Sequence, residues 1–468
     1  MRVFQDIVVG SGPGGAITSY FLKKADRDVL LIEAGSRLFQ QDTVAFSKDE
    51  MLRKYWNGGL TVALGNPKIP FVLGKCFGGG SEINAGIYHR ASPEVLEEWA
   101  RRFQLRDIDE ASLNEHYEYF EKELTVSSMP DNLIPKASRL LAEGASKLNW
   151  KCFEVPRWFD YDKPENQKQT MSETFLSRSI ELDLEMVFEK TVRRLKQKNG
   201  IWHVVSFEGD SYHAENIFLC AGAVQTPSIL MRSGIGRNVG RSLQLHPTIK
   251  ATALFDDEIN TEGMGVPVHQ VREFSPAISL GCSISSLPYL SLALSEFENY
   301  TTFARENWKK MSTYYAMIRP ESCARIINIP FTRDPVIRYD LSDRDVANLL
   351  SGLKKLCQLL FAAGARKVFP SILDEKFILD SADEIESRLA NVDRKLIQLM
   401  SIHLFGSCPM GENPALCATD SYGRVSGQHG LYVNDASLLC TSLGLNPQGT
   451  LMCFARRNVL HFLETRNG

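Results

Sequence analysis

Gly10-Ser11-Gly12-Pro13-Gly14-Gly15 follows the apolar run Ile7-Val8-Val9 and precedes the helix-like stretch from Ala16 to Lys24. In such a GxGxxG loop the first glycine allows a tight turn and the second lets the backbone approach a pyrophosphate. The third lets helix and strand pack closely. Free amides at the helix start then face the phosphate charge. Glu33 ends the next apolar run, Val29-Leu30-Leu31-Ile32, eighteen residues after Gly15. A carboxylate there can accept hydrogen bonds from an adenosine ribose. The segment reads as a βαβ dinucleotide unit with Gly10, Gly12, Pro13, Gly14, Gly15, Glu33 and Ala34 as cofactor contacts. The loop does not by itself separate FAD from NAD.

The elements beyond that unit are read from periodicity and turn residues. Amphipathic stretches predict helices around Glu94–Phe103 and Leu113–Leu124, and again at Asp343–Ala363 and Ser381–Ser401. A strand meander is expected from 186 to 222, with Met186-Val187-Phe188, Val192–Leu195, Ile201–Phe207 and Ile217-Phe218-Leu219 parted by turns such as Asn199-Gly200. Residues 250–335 mix short strands with proline turns. No repeat, low-complexity tract or flexible linker divides the chain, so a second domain is expected to interleave with the first.

Bulk composition excludes several classes. A chain of 468 residues corresponds to two or three domains at roughly 150 residues each. Lys and Arg number 53 and Asp and Glu 56, giving a net charge of −3, which argues against nucleic-acid binding by bulk charge. The ten cysteines form no CxxC pair and accompany no histidine cluster, so neither a zinc site nor a disulfide framework is expected. No apolar stretch approaches the ~20 residues of a membrane span, and the first residues lack the pattern of a secretion signal. The expectation is a cytoplasmic protein with no metal and no nucleic-acid partner.

A second glycine cluster runs Gly74-Lys75-Cys76-Phe77-Gly78-Gly79-Gly80-Ser81-Glu82-Ile83-Asn84-Ala85-Gly86-Ile87-Tyr88-His89-Arg90. Three successive glycines strip a short loop of side chains, so another surface can lie on its backbone. A third, Gly222-Ala223-Val224-Gln225-Thr226-Pro227, continues to Gly234-Ile235-Gly236. Near the C-terminus stand His403-Leu404-Phe405-Gly406-Ser407-Cys408-Pro409-Met410-Gly411, Leu431-Tyr432-Val433-Asn434-Asp435-Ala436-Ser437 and Asn446-Pro447-Gln448-Gly449-Thr450. Together with the N-terminal loop, these pieces resemble the glucose–methanol–choline (GMC) family of flavoprotein oxidoreductases, in family order and across the whole chain.

The resemblance implies FAD rather than NAD, and an α/β architecture in which a Rossmann-like FAD-binding domain is interleaved with an α+β substrate domain on an antiparallel sheet. It assigns residues 1–90, 168–250 and 398–468 to the first domain, and 91–167 and 251–397 to the second. Gly79, Gly80, Ser81, Asn84, Ala85 and Ile87 would line the flavin, and Val192 would meet the adenine. Ala221 would lie at the third glycine cluster, Asp435 and Ala436 beside the ribityl chain and pyrophosphate, and Pro447 and Gln448 at the flavin ring. Some members attach FAD covalently through a histidine two residues after the loop serine. That position here is Ile83, so dissociable FAD is expected.

His403 and Asn446 fall on the family's two active-site positions. Oxidising an alcohol requires removing the hydroxyl proton while a hydride leaves carbon. A neutral imidazole can act as base or orient the hydroxyl, and an amide can hydrogen-bond the same oxygen. Pro447, tolerated in the first turn, is expected to open the last helix and aim its positive end at the flavin. His246, in Leu243-Gln244-Leu245-His246-Pro247, is read as structural, and His89 is given no role.

The resulting expectation is an FAD-dependent oxidoreductase acting on the CH–OH group of a small-molecule alcohol, with oxygen or another electron acceptor. Glu82–Arg90 and Tyr314–Glu321 resemble a bacterial branch of the family that includes sugar and aminocyclitol dehydrogenases, which implies a sugar- or aminocyclitol-like substrate. The alternatives are a non-redox FAD-containing lyase, a sterol or long-chain alcohol oxidase, and a flavin-stabilised scaffold. Trp158, Phe159, Tyr289 and Tyr315 permit an apolar pocket, whereas Asp160, Asp162 and Glu165 permit a polar or cationic substrate.

Overall fold

A computed structural model describes residues 2–163, 167–261, 265–295 and 300–467; Glu165 lies outside them. Strand β1 (Phe4–Val9), helix α1 (Pro13–Lys24) and strand β2 (Val29–Ile32) form the expected βαβ unit. Their apolar runs pair in parallel, as strands covered on both faces do. On the other edge of β1 lies the long strand β3 (Ser211–Leu219), also parallel. The strand Glu185–Val187 joins β2 in parallel. The antiparallel hairpin Val192–Lys198 and Ile201–Ser206 continues from the first half of β3, while Leu431–Val433 pairs with its second half.

The expected meander is thus divided. Its first strand crosses to the far edge, where Met186 and Val187, half-buried, pair in parallel with β2, and only the later three strands fold back on one another.

A second sheet is antiparallel, in the order Lys367–Pro370, β4 (Thr248–Leu254), β5 (Met311–Ile318), Ile278–Cys282, His269–Val271 and Cys152–Glu154. Helix α2 (Asp343–Ala362) covers it, capped by Ser342, whose side chain accepts from the Asp345 amide. Leu349, Leu353 and Leu356 of α2 share a core with Ile249, Ala251, Leu280, Tyr314 and Ala316 of that sheet.

The first core gathers Ile7, Leu31, Ile217 and Phe218 with Trp99, Phe103 and Phe120 from the helices Pro93–Phe103 and Glu110–Glu123. The final helix, α3 (Gln448–Asn467), packs on α1 and adds Phe454 to the same core.

The helix expected over Ser381–Ser401 does not form. It is replaced by one short turn at Glu384–Arg388, a 3-10 turn at Arg394–Leu396 and the strand Leu399–Met400, which pairs with β4. The Asp393 carboxylate takes the Lys395 amide, the competition for backbone donors that makes aspartate a poor helix interior residue.

Where the helix Lys136–Lys147 crosses α2, Gly144 lets the backbones touch. A Cβ there would lie 2.5 Å from the Leu359 carbonyl oxygen. Gly144→Ala should destabilise the second core by about 1–3 kcal/mol, the cost of overpacking. The thermal midpoint should fall while FAD content, set by the other sheet, stays unchanged.

Candidate active site

Three glycine contacts explain the first loop. Gly10 takes φ +98°, and a Cβ on Gly15 would meet the Gly10 carbonyl oxygen at 1.8 Å, so helix and strand are in backbone contact. A Cβ on Gly14 would meet the Asn434 carbonyl oxygen at 1.9 Å, tying α1 to the end of Leu431–Val433. Gly12 is the N-cap of α1, with no side-chain cap and no acidic residue in the first turn. The helix's first amides are therefore left for an anion.

The second glycine cluster lies directly on the first. A Cβ on Gly79 would sit 2.7 Å from the Gly12 Cα. Glu33 reinforces the junction from behind. One carboxylate oxygen accepts from the Ser11 amide at 2.9 Å and from the Ser11 hydroxyl at 2.6 Å. The other accepts from the Gly35 amide at 2.7 Å, and Ser11 Oγ accepts from the Gly78 amide at 3.1 Å. Burial raises the Glu33 carboxyl, and these bonds oppose the rise. Its first task is thus to fasten its own loops. Ala34 follows it, and Val192 begins the strand entered just after the Lys190 amide reaches the Glu33 carbonyl at 3.0 Å.

Asp435 plays the same part on the other side. Its carboxylate accepts from the Gly222 amide and the Ser437 amide, both at 2.8 Å, and from the Thr226 and Ser437 hydroxyls. Burial raises its carboxyl against those four bonds. The Ala221 amide donates to Thr226 Oγ1 at 3.0 Å, and Ala436 follows Asp435 into a 3-10 turn. Ser81, Asn84, Ala85 and Ile87 continue from Gly80, whose Cβ direction is open. Ser81 Oγ donates to the Gly78 carbonyl at 2.8 Å, and Asn84 Nδ2 donates to the Gln448 side chain. The Ala85 carbonyl accepts from Arg157 at 2.8 Å, and Ile87 bridges to the same residue's backbone. Lys168, buried, donates to the Glu82 and Asn84 carbonyls at 2.8 and 2.9 Å.

An uncapped helix start, a side-chain-free loop and buried carboxylates that orient both fit a flavin dinucleotide.

His403 and Asn446 meet at the joint between the sheets. The short strand Gln244–Leu245 pairs antiparallel with Leu404–Phe405, Gln244 opposite Phe405 and Leu245 opposite Leu404. The next step in that register puts His246 opposite His403, and their Nδ1 atoms are 2.9 Å apart. His403 Nε2 lies 3.2 Å from Asn446 Nδ2. Burial lowers the His403 pKa to about 4, so the ring is neutral at pH 7. Both residues remain partly exposed.

Sequence reasoning missed Gln270. Its Nε2 donates to Tyr315 Oη at 3.0 Å and to Asn446 Oδ1 at 3.2 Å, and its Oε1 is 3.0 Å from His89 Nε2. No motif marks a glutamine on a three-residue strand paired on both sides. His246 and His89, read as structural or without a role, both touch this network. Phe159 and Trp158 pack on Gly86 of the second loop, and Tyr315 belongs to the hydrogen-bond network. The last helix begins at Gln448, and Pro447 stands before it as the cap, its carbonyl accepting the Leu451 amide at 2.9 Å. Pro447 thus opens the helix one residue earlier in role than expected, because a cap needs only its carbonyl.

Among the described residues no group of three His, Cys, Asp or Glu side chains could hold a metal ion, and no helix is long and apolar enough to cross a membrane.

The GMC oxidoreductase sequence family matches residues 51–248 and 331–455, and an NAD(P)-binding Rossmann-like domain matches residues 8–44. An uncharacterized GMC-type oxidoreductase of Sinorhizobium fredii is 33% identical over 96% of this chain and 93% of its own length. A long-chain-alcohol oxidase of Arabidopsis thaliana is 26% identical over 96% of this chain and 67% of its own. The solved structure of pyridoxine 4-oxidase from Mesorbium loti superposes with a TM-score of 0.74 at 19% identity, covering 98% of this chain and 99% of that one.

Two outcomes are expected of the cofactor site. Gly14→Val should fail to retain FAD, read as loss of flavin absorbance in the purified protein. Denaturing the wild type should release all its flavin through an ultrafiltration membrane, since Ile83 offers no nucleophile; flavin held with the protein would show a covalent bond.

Proposed function

We propose, from the premise that this chain belongs to the GMC oxidoreductase family, that its FAD-dependent alcohol oxidation acts on a small-molecule CH–OH substrate held by His403 and Asn446. The observation that carries this reading is the meeting of a neutral imidazole and a primary amide, 3.2 Å apart and partly exposed, where the two sheets join. FAD, when bound, supplies the hydride acceptor.

The chain's own residues do the rest. The α1 amides and the paired glycine loops hold the pyrophosphate end, and Gly80 to Ile87 line the approach to the ring. His403 Nε2 and the Asn446 amide face the hydroxyl oxygen and assist loss of its proton. The start of α3 at Asn446–Pro447 adds a helix N-terminus beside the same point, which favours developing negative charge. Oxygen or another electron acceptor would be the second substrate.

Anaerobic mixing tests the reading. A panel of cyclitols, sugars, pyridine-type alcohols and long-chain alcohols is added and the flavin colour followed; at least one class should bleach it. If none does, the redox reading fails. With a reducing substrate in hand, His403→Ala and Asn446→Ala should each keep FAD. Each should slow flavin reduction by about 10²–10³-fold, as loss of one oxyanion donor does. Unchanged rates in both would refute the site.

A further inference from the structure

We propose that His403 and Asn446 are two hydrogen-bond donors converging on one point, an oxyanion clamp whose polarity is imposed by His246 on one side and Gln270 on the other. This deepens the alcohol-oxidation reading and rests on it for the substrate, though not for the polarity. Under it His403 orients the substrate oxygen and does not take its proton.

The polarity follows from hydrogen counting, starting at the backbone. The Gly444 amide donates to His246 Nε2 at 3.0 Å, so that nitrogen carries a lone pair. A neutral His246 then has its hydrogen on Nδ1. The gap of 2.9 Å to His403 Nδ1 holds one hydrogen, so His403 Nδ1 accepts. The hydrogen of a neutral His403 is therefore on Nε2, the atom facing the site.

The second chain runs from the opposite side. His89 Nε2 donates to Gln270 Oε1, which turns Gln270 Nε2 toward Tyr315 Oη and Asn446 Oδ1. With its oxygen occupied, Asn446 presents Nδ2. The two nitrogens 3.2 Å apart are both donors, and an oxygen acceptor placed between them satisfies both.

A positive His403 would break this pattern. It would need hydrogens on both nitrogens, and His246 would have to place one against the Gly444 amide. The groups facing the pair agree. Burial lowers His246, with His403 and Arg319 adding to the effect, and burial alone lowers His403 to about 4; His89, lowered to about 3, is neutral beside them. Ser401 Oγ and the Phe405 ring, which also pack on His246, carry no charge. The hydroxyl O–H bond then breaks toward solvent hydroxide, giving water and an alkoxide oxygen that the two N–H groups hold while the hydride leaves its carbon. His246 and Gln270 are positioning residues.

Nitrogen NMR of the FAD-loaded enzyme with isotope-labelled histidine reads the polarity without turnover. His403 should carry its hydrogen on Nε2 and His246 on Nδ1, both neutral across the mildly acidic range. Activity gives a second reading. The kcat/KM for flavin reduction should climb about tenfold per pH unit through neutrality without levelling off. His246→Leu frees His403 Nδ1 to take the hydrogen and bares Nε2, so its profile should be flat through neutrality, above the lowered His403 pKa of about 4. His246→Gln, with an amide N–H for His403 and an oxygen for Gly444, should restore the wild-type climb.

A His403 hydrogen on Nδ1, or a wild-type profile that is flat through neutrality, overturns the proposal. If His246→Leu fails to fold, the wild-type spectra and the glutamine variant still decide. If no alcohol bleaches the flavin, the substrate reading falls while the spectra still judge the polarity.

Discussion

Everything in the cofactor half depends on backbone touching backbone where the first two glycine clusters meet. Gly12 caps α1 and Gly79 lies against it, closer than any Cβ would allow. A side chain at Gly79 would push the second loop away from the helix start and open the cradle. The same exclusion operates at Gly14 against Asn434 and at Gly15 against Gly10, so α1 is fixed from three directions before any ligand arrives. Close contacts between main chains leave no room for compensating rotamers. Local errors there cannot be absorbed.

Two buried carboxylates hold those contacts in register. Glu33 binds the Ser11 and Gly35 amides, and Asp435 binds the Gly222 and Ser437 amides; each also takes at least one hydroxyl. Burial alone would neutralise such groups, and charge-assisted bonds from backbone amides oppose that. The result is a rim built of main chain and tied by buried side chains.

The reacting end is built on a different device. A joint of two residue pairs, Gln244 with Phe405 and Leu245 with Leu404, carries the chain from one sheet toward the other and sets His246 against His403. The second sheet supplies Gln270 and Tyr315, and Asn446 stands just before the Pro447 cap of the last helix. Five segments distant in sequence thus meet at one amide and one imidazole. Burial keeps the imidazole neutral, which suits chemistry on an alcohol near neutral pH.

The first βαβ unit was fully legible, because Ile7 to Glu33 is local: apolar run, glycine turn, helix and carboxylate follow one another within a single hydrogen-bonded unit. The helix at Asp343–Ala362 was legible for the same reason, its periodicity and Ser342 cap being local. The segment Ser381–Ser401 was not, since its apolar spacing served loop packing against α2 and Asp393 took a backbone amide. By itself the sequence determined the dinucleotide loop, the family resemblance and the identity of His403 and Asn446 as candidates. Only the tertiary structure decided that Glu33 and Asp435 fasten backbone, that Gln270 orients Asn446 and that His246 faces His403. Those relations depend on which strands pair across long stretches of chain, and pairing partners leave no periodic trace in either strand alone.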